Sequence, residues 1–118
     1  GTLAVLAAPA SAQTWPAGPV RVVVPFPPGG SVDTLARLIQ QPISAELGVP
    51  VVIENRGGAS GALGTAQVAR AAPDGQTFLL VFDTHATNPA LQPNMGFDTR
   101  RDLAPILLFG TAPNMLLT

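Results

Sequence analysis

The 118-residue sequence contains no cysteine, which excludes disulfide bonds, thiolate metal ligands and a cysteine for lipid attachment. Its single histidine and scattered carboxylates do not make a metal-ligand set, so we expect neither a metal nor another cofactor. Charged residues make up only 11% of the chain, and its six basic residues are arginines spread along it. Without a basic patch, nucleic acid is not an expected partner.

A hydrophobic run long enough to cross a membrane is also missing. The apolar segment at residues 3–12 is about ten residues long, whereas a transmembrane helix needs about 20. The segment ends in Ala10-Ser11-Ala12, a small-residue pattern typical of signal-peptide cleavage sites. We expect residues 1–12 to be a signal-peptide remnant cleaved near Ala12, and the mature protein to be exported without stable membrane insertion.

Neither end of the sequence has the usual features of a natural terminus. The sequence lacks an initiator methionine, and its last residues, Met115–Thr118, have the pattern of an unfinished strand. We therefore expect a fragment of a longer protein.

Three apolar runs, separated by helical patterns, form the body of the sequence. They are Val20–Val24, Val49–Ile53 and Thr77–Phe82, and each is nearly continuous rather than alternating. Such runs are typical of a parallel sheet covered by helices, so the expected fold class is α/β. Right-handed crossovers would place the loops that follow these strands on one edge of the sheet, where ligands bind.

The segments between the runs predict two helices. The first spans Ser31–Leu47 and stops at Gly48, and the second begins at Ser60 or Gly61 and stops near Ala71. An interior proline costs a helix about 3 kcal/mol, so Pro42 predicts a kink or break near Gln41. The apolar face of the first helix is expected to hold Leu35, Leu38, Ile39, Ile43 and Leu47, and a further strand is expected at Ala104–Phe109.

The loop Pro25–Asp33, which joins the first strand to the first helix, is the most informative segment. A helix N-terminus has unpaired N–H groups and carries a partial positive charge, so the loop can hold an anion without a basic side chain. The loops Asn55–Gly61 and Asp83–Asn88 are expected to converge with it. Alternatively, the glycines only permit tight turns and Ser31 only caps a helix.

Two charged residues near these loops each allow two interpretations. Asp33 either offsets the dipole of the first helix, or it has a specific role, in which it accepts amides of the preceding loop and orders it or repels some ligands. Arg56 either pairs with a ligand carboxylate, or it is a surface residue or a partner of Glu54.

Two enzyme hypotheses are open. A strand, the Gly58–Gly64 turn and a helix, with Asp83 about 20 residues on, suggest a nucleotide-dependent oxidoreductase, although the glycines follow G-x-x-G-x-x-G rather than G-x-G-x-x-G. Ser31 or Ser60 together with His85 suggests a hydrolase, although the sequence contains no G-x-S-x-G motif.

Taken in order, several motifs resemble the solute receptors of tripartite tricarboxylate transporters, the Bug-type periplasmic binding proteins. These motifs are Trp15-Pro16, Pro19 to Gly30, Asp33, Ala36-Arg37, Val51 to Arg56, the Gly58–Gly64 turn, Ala72 to Gly75, Asn88 to Leu91 and Asp102 to Ile106. The sequence departs from the family pattern at Gly57, where proline is frequent, and at Pro42.

The resemblance implies a two-lobed, type II (Venus flytrap) periplasmic receptor, of which residues 13–118 would form the N-terminal part of the first lobe. It also implies a small carboxylate-type ligand, delivery to the membrane permease subunits of the transporter, and no catalytic step. The ligand-binding residues are then expected in the first loop and, in the same cleft, at the next two loops: Phe26, Pro27, Pro28, Gly29, Gly30, Ser31, Ser60, Gly61, Thr84 and His85.

Overall fold

The computed structural model describes residue 1, residues 9–113 and residues 115–117. Most of the expected signal-peptide remnant, residues 2–8, lies outside the described residues, as do Asn114 and Thr118. The predicted cleavage motif, Ala10-Ser11-Ala12, is exposed and has no regular secondary structure. Within the described ranges, no helix combines the length and the apolar character that a membrane span requires.

A three-stranded parallel sheet in the order β2-β1-β3 forms the centre of the fold, as the apolar runs predict. Its strands are β1 (Val20–Val24), β2 (Val51–Asn55) and β3 (Thr77–Leu79). The central strand is the most apolar, and two of its residues, Val23 and Val24, are fully buried. The parallel α/β fold class is therefore confirmed.

Three strand boundaries differ from the prediction, and one of them is the end of the second strand, which lies at Asn55 rather than Ile53. The second strand begins at Val51 rather than Val49, because Pro50 has no N–H for the ladder and contributes only its carbonyl, which accepts the Val20 N–H at 2.9 Å. The third strand ends at Leu79 rather than Phe82, although the Leu80 N–H still donates to the Val23 carbonyl at 3.0 Å. Beyond that bond the chain leaves the sheet.

The first helix, α1 (Ser31–Leu47), has the predicted bounds, and Gly48 ends it in the left-handed conformation with φ of 69°. The expected interruption near Gln41 is absent, since the helix is continuous through Pro42. Pro42 removes the hydrogen bond to the Leu38 carbonyl, but both residues are exposed, so water can reach that carbonyl. Leu38 is 73% exposed and does not belong to the buried face, contrary to the prediction.

The other helices are α2 (Ala62–Ala69), preceded by a 3-10 turn at Ala59–Gly61, and α3 (Thr84–Leu91). The second helix is shorter than predicted at both ends: Ser60 and Gly61 have φ of 54° and 91° and belong to the 3-10 turn, and α2 ends at Ala69. The segment predicted as a polar loop after the third strand is already helical from Thr84.

The helices that connect the strands, α1 and α2, cover opposite faces of the sheet. Val24 of β1 packs with Val32 and Ala36 of α1 in the hydrophobic core. On the other face, Gly64 of α2 lies so close to Pro25 that an added Cβ would be 2.8 Å from the Pro25 Cβ. Successive residues of a strand point to opposite faces, so this arrangement follows from the pleat of β1 and its continuation.

The strands expected at Ala104–Phe109 and Met115–Thr118 are wrong for the described residues. Residues 103–113 and 115–117 have no regular secondary structure, and the side chains of Ile106, Leu107 and Leu108 are 75%, 70% and 76% exposed. A strand needs a hydrogen-bonded neighbour, and neither edge of the described sheet pairs with this segment.

Candidate functional site

The strand order creates a crevice between β1 and β3. The chain passes from β1 to β2 on one side and then crosses back to β3 on the other, and ligands of open parallel sheets bind outside the strand ends where the order reverses. The loop after β1 and the segment after β3 meet there. The rings of Phe26 and Phe82 lie with their centroids 4.9 Å apart and their planes tilted by 60°.

A shallow depression of about 300 Å³ opens at this crevice. It contains five of the six residues predicted in the first loop, all except Gly29, and Phe82, which the prediction missed. Among the described residues, no basic side chain lines it, and the groups of this loop that can hold an anion are backbone amides and the Ser31 hydroxyl. The lining residues are Phe26, Pro27, Pro28, Gly30, Ser31, Val32, Asp33 and Phe82.

Backbone amides are the strongest hydrogen-bond donors in this depression. Gly30 is the N-cap of α1, and its carbonyl accepts both the backbone N–H and the Oγ1 hydroxyl of Thr34 at 2.9 Å. Among the described residues, the N–H groups of Gly30, Ser31 and Val32 have no protein acceptor. The positive end of the helix dipole and these amides are therefore available to an anionic ligand.

The amide of Gly29 has a different role. It donates to Asp33 Oδ2 at 2.9 Å, and Asp33 is only 4% exposed. Of the two interpretations of Asp33, the structure therefore shows the one in which its carboxylate orders the preceding loop.

Asp33 belongs to a network that includes two further side chains. Asn55 Nδ2, at the end of β2, donates to Asp33 Oδ1 at 3.0 Å and to the Phe26 carbonyl at 3.2 Å. The Arg37 Nε donates to both carboxylate oxygens at 3.1 Å. The hydrogen bonds from the Gly29 amide, Asn55 and Arg37 lower the pKa of Asp33 to about 2, so the carboxylate is ionised at neutral pH.

The second predicted loop supports the first loop from behind. A Cβ added to Gly61 would lie 3.0 Å from Cζ of Phe26, and one added to Gly64 would lie 2.6 Å from the Arg56 carbonyl oxygen. Only glycine permits this close packing. Neither Ser60 nor Gly61 lines the depression of the first loop.

Side chains of and just beyond α3 cover the same turn. Asn88 Nδ2 donates to the Ser60 carbonyl and Gln92 Nε2 to the Ala59 carbonyl, both at 2.9 Å. Ala59 and Ser60 have φ of 50° and 54°, a conformation that is unfavourable for residues other than glycine, and these bonds help to hold it.

The predicted residues of the third loop lie apart from the first loop. His85 lines a second depression of about 630 Å³, formed with Gln92, Phe97 and Arg100 among others, and burial lowers the pKa of its imidazole. Thr84 borders neither depression, and its carbonyl accepts the Thr87 hydroxyl at 3.3 Å. The structure therefore brings the first and third segments together through Phe82 rather than through Thr84 or His85.

The described residues also bear on the two enzyme hypotheses. The hydroxyls of Ser31 and Ser60 make no hydrogen bond to His85, and the described residues contain no cluster of three His, Asp or Glu side chains able to hold a metal. Arg56 pairs with Glu54 at 2.7 Å, which is the second of its two interpretations. In the Gly58–Gly64 turn, which the oxidoreductase hypothesis assigns to a dinucleotide site, the carbonyls of Ala59 and Ser60 accept hydrogen bonds from Gln92 and Asn88.

The fold of this chain is similar to the folds of solved periplasmic binding proteins. Superposition on periplasmic binding protein BugD gives a TM-score of 0.71 at 44% identity, covering 75% of this chain and 29% of BugD. MatC from Rhodopseudomonas palustris, solved with bound malate, gives 0.69 at 44% identity, covering 75% of this chain and 30% of MatC.

The family profile described as tripartite tricarboxylate transporter family receptor, TctC, matches residues 35–118. The chain therefore belongs to this receptor family. Protein BugT of Bordetella pertussis is 43% identical over 115 residues, which are 96% of this chain and 35% of BugT, so this similarity extends over the first loop. The chain spans about a third of the length of the curated relatives it matches.

Proposed function

We propose that this chain is part of a periplasmic solute receptor that binds a small carboxylate-type metabolite and delivers it to the permease subunits of a tripartite tricarboxylate-type transporter. The observation that carries the proposal is the row of unpartnered amides at Gly30, Ser31 and Val32, in a depression without a basic side chain. Membership of the receptor family supports the receptor role, and the malate bound to MatC supports the ligand class.

In this proposal the ligand carboxylate lies against the start of α1. Each hydrogen bond from an amide to a carboxylate contributes about 1.5–3 kcal/mol, so two or three amides suffice for measurable binding without a cationic partner. Phe26 and Phe82 contact the carbon chain of the ligand. Gly61 and Ser60 act by supporting the first loop, whereas Thr84 and His85 lie outside its depression.

Affinity from amide dipoles requires no general base, so the receptor performs no catalytic step. Residues 13–118 form the N-terminal part of the first of two lobes, and residues 1–12 are the remnant of the signal peptide that directs the protein to the periplasm. The ligand cleft is completed by the second lobe.

Calorimetric titration of the full-length receptor tests the proposed function. The panel consists of malate, adipate, citrate, a neutral amino acid and NAD, and we expect heat from at least one carboxylate and none from NAD. Binding of NAD without a response to any carboxylate would contradict the proposal and favour the oxidoreductase hypothesis.

A further inference from the structure

The loop that follows β1 is held at both of its ends by side chains from outside it. At its start, the Phe26 carbonyl accepts Asn55 Nδ2 at 3.2 Å, and at its end, the Gly29 N–H donates to Asp33 Oδ2 at 2.9 Å. Asn55 and Asp33 are themselves joined at 3.0 Å. The loop backbone and these two side chains therefore close a ring of hydrogen bonds that ties β1, α1 and β2 together.

Arg37 completes the charge balance of this ring. Its Nε donates to both oxygens of Asp33 at 3.1 Å, and its Nη2 donates to Asn55 Oδ1 at 3.1 Å. Each of the three side chains is thus hydrogen-bonded to the other two. The negative charge of Asp33, which lies at the edge of the depression, is neutralised by an adjacent guanidinium and does not stand unpaired against an incoming anion.

The ring also determines which amides remain for a ligand. Gly29 has φ of 94°, a conformation that suits glycine, and its N–H is taken by Asp33. The next three N–H groups in the chain, beginning at Gly30, have no acceptor among the described residues. Holding the loop in this shape in advance reduces the entropy that ligand binding must overcome.

We propose that Asp33, Asn55 and Arg37 form a positioning unit that fixes the loop at residues 26–31 in its binding conformation and neutralises Asp33 toward an anionic ligand. This inference rests on the proposed function of the loop. None of the three is assigned direct contact with the ligand through its side chain, so they are positioning residues rather than binding residues.

The first test measures the loop directly and needs no ligand. In the full-length receptor, amide hydrogen exchange by NMR should show the Gly29 N–H protected and the Gly30 N–H exchanging faster. Asp33→Asn and Asn55→Ala should remove the protection of Gly29. Protection of Gly29 that is unchanged in both variants would overturn the proposal.

The matched control is Glu54→Gln. Glu54 is the neighbour of Asn55 in β2, is half-buried and pairs with Arg21 and Arg56, so its replacement also breaks ion pairs at the sheet, but none that reach the loop. Glu54→Gln should leave Gly29 protected. Loss of protection in this variant as well would mean that general destabilisation, not the positioning unit, controls the loop.

The second test is affinity, measured by calorimetry with malate, adipate and citrate. For a carboxylate that the wild-type receptor binds, Asp33→Asn and Asn55→Ala should raise Kd about tenfold or more, because a buried group loses its partner and the loop loses its fixed shape. Glu54→Gln should leave Kd within about twofold of the wild-type value, even if it lowers the melting temperature as much as Asp33→Asn and Asn55→Ala do.

The outcomes separate the two proposals. A wild-type receptor that binds no carboxylate contradicts the proposed function, while the exchange of Gly29 still decides whether the positioning unit exists. A wild-type receptor that binds malate, with Asp33→Asn binding it equally well, contradicts the positioning unit alone.

The exchanged pair Asp33→Asn with Asn55→Asp provides a rescue experiment. It restores one donor and one acceptor between positions 33 and 55 and leaves Arg37 beside a carboxylate, while the donor to the Phe26 carbonyl is lost. We expect affinity between that of Asp33→Asn and that of wild type. A double variant that binds the carboxylate no more tightly than Asp33→Asn does would contradict direct coupling between these two side chains.

Discussion

The glycines near the crevice differ in what a side chain would meet. A Cβ at Gly30 would have only the Pro27 carbonyl oxygen near it, at 4.0 Å, and Gly30 has φ of −77°, which any residue can adopt. A Cβ at Gly64 would collide with the Arg56 carbonyl oxygen at 2.6 Å. Gly64 is therefore required by packing, whereas Gly30 is not, and this makes Gly30 suitable for testing the depression itself.

At residue scale, we predict that Gly30→Val in the full-length receptor folds normally but binds carboxylate at least about tenfold more weakly, because the new side chain fills the space before the amides of α1. His85→Ala should weaken binding much less, since His85 borders the other depression. Gly18→Val is the control, because it adds the same side chain in open space before β1, at the end of the sheet opposite the crevice. Calorimetry measures the affinity, and thermal unfolding measures whether each variant folds normally. Equal losses of affinity in Gly30→Val and His85→Ala would contradict the amide model.

A second residue-scale prediction concerns acid. Hydrogen bonds from Gly29, Asn55 and Arg37 lower the pKa of Asp33 from 3.8 to about 2, and those from Arg21, Arg56 and Gln67 lower the pKa of Glu54 from 4.5 to about 2. A carboxylate with a lowered pKa in the folded state stabilises that state above its unfolded pKa, and the stabilisation is lost as pH falls toward the folded value.

The free energy of unfolding, measured by urea titration, should therefore fall as pH decreases from about 4.5 to about 2. Asp33→Asn and Glu54→Gln should each flatten this decline. A free energy that is constant across the interval would show that these ion pairs add nothing to stability.

At the scale of elements, α1 continues through Pro42, as α3 continues through Pro89. The missing hydrogen bond of α1 falls on the exposed side of the helix, where water can replace it, so the break predicted from sequence does not form. The buried side of α1 instead carries Val32, Asp33 and Ala36, and it fixes the loop before it. A local propensity rule was overridden here by the position of the proline relative to solvent.

We predict that Pro42→Ala stabilises the receptor by up to about 3 kcal/mol, since alanine restores the N–H and removes the steric conflict with the preceding turn. Pro105→Ala, in the exposed segment without secondary structure, should change stability by no more than about 0.5 kcal/mol. Chemical denaturation of both variants measures the difference. A loss of stability in Pro42→Ala would mean that the proline is compatible with α1 and acts mainly by restricting the unfolded chain.

At the scale of the whole molecule, the described chain exposes apolar surface in its C-terminal segment. Its radius of gyration of 18.7 Å exceeds the value of about 13 Å for a compact chain of this length. Ile106, Leu107 and Leu108 are each at least 70% exposed. Contiguous apolar surface of this kind marks a region that another part of a protein or another molecule covers.

A polypeptide of residues 1–118 by itself should therefore associate with increasing concentration, and Ile106→Asp with Leu108→Asp should reduce the association. Sedimentation velocity over a range of concentrations measures it. Thr111→Asp with Ala112→Asp, which adds the same charge to small exposed residues nearby, controls for charge alone. A chain that stays monomeric at every concentration would show that this segment does not drive association.

Local signals in the sequence were enough to predict the parallel α/β fold, the bounds of α1 and the position of the loop Phe26–Ser31, because hydrophobic runs, capping glycines and turn-forming prolines act locally. They did not predict the roles of Asn55 and Phe82, which depend on which strands lie side by side. The order β2-β1-β3 brings the ends of β1 and β2 together, so that Asn55 reaches both Phe26 and Asp33.

That Asp33 orders the loop and that His85 lies beside a different depression became clear from the folded chain alone. The physical reason is that hydrogen bonds between residues distant in sequence depend on the packing of helices against the sheet, which periodicity and spacing do not specify. The tail at residues 103–113 is a second case in which the sequence pattern was not sufficient. Its apolar run predicted a strand, but an apolar run becomes a strand only where a neighbouring strand pairs with it.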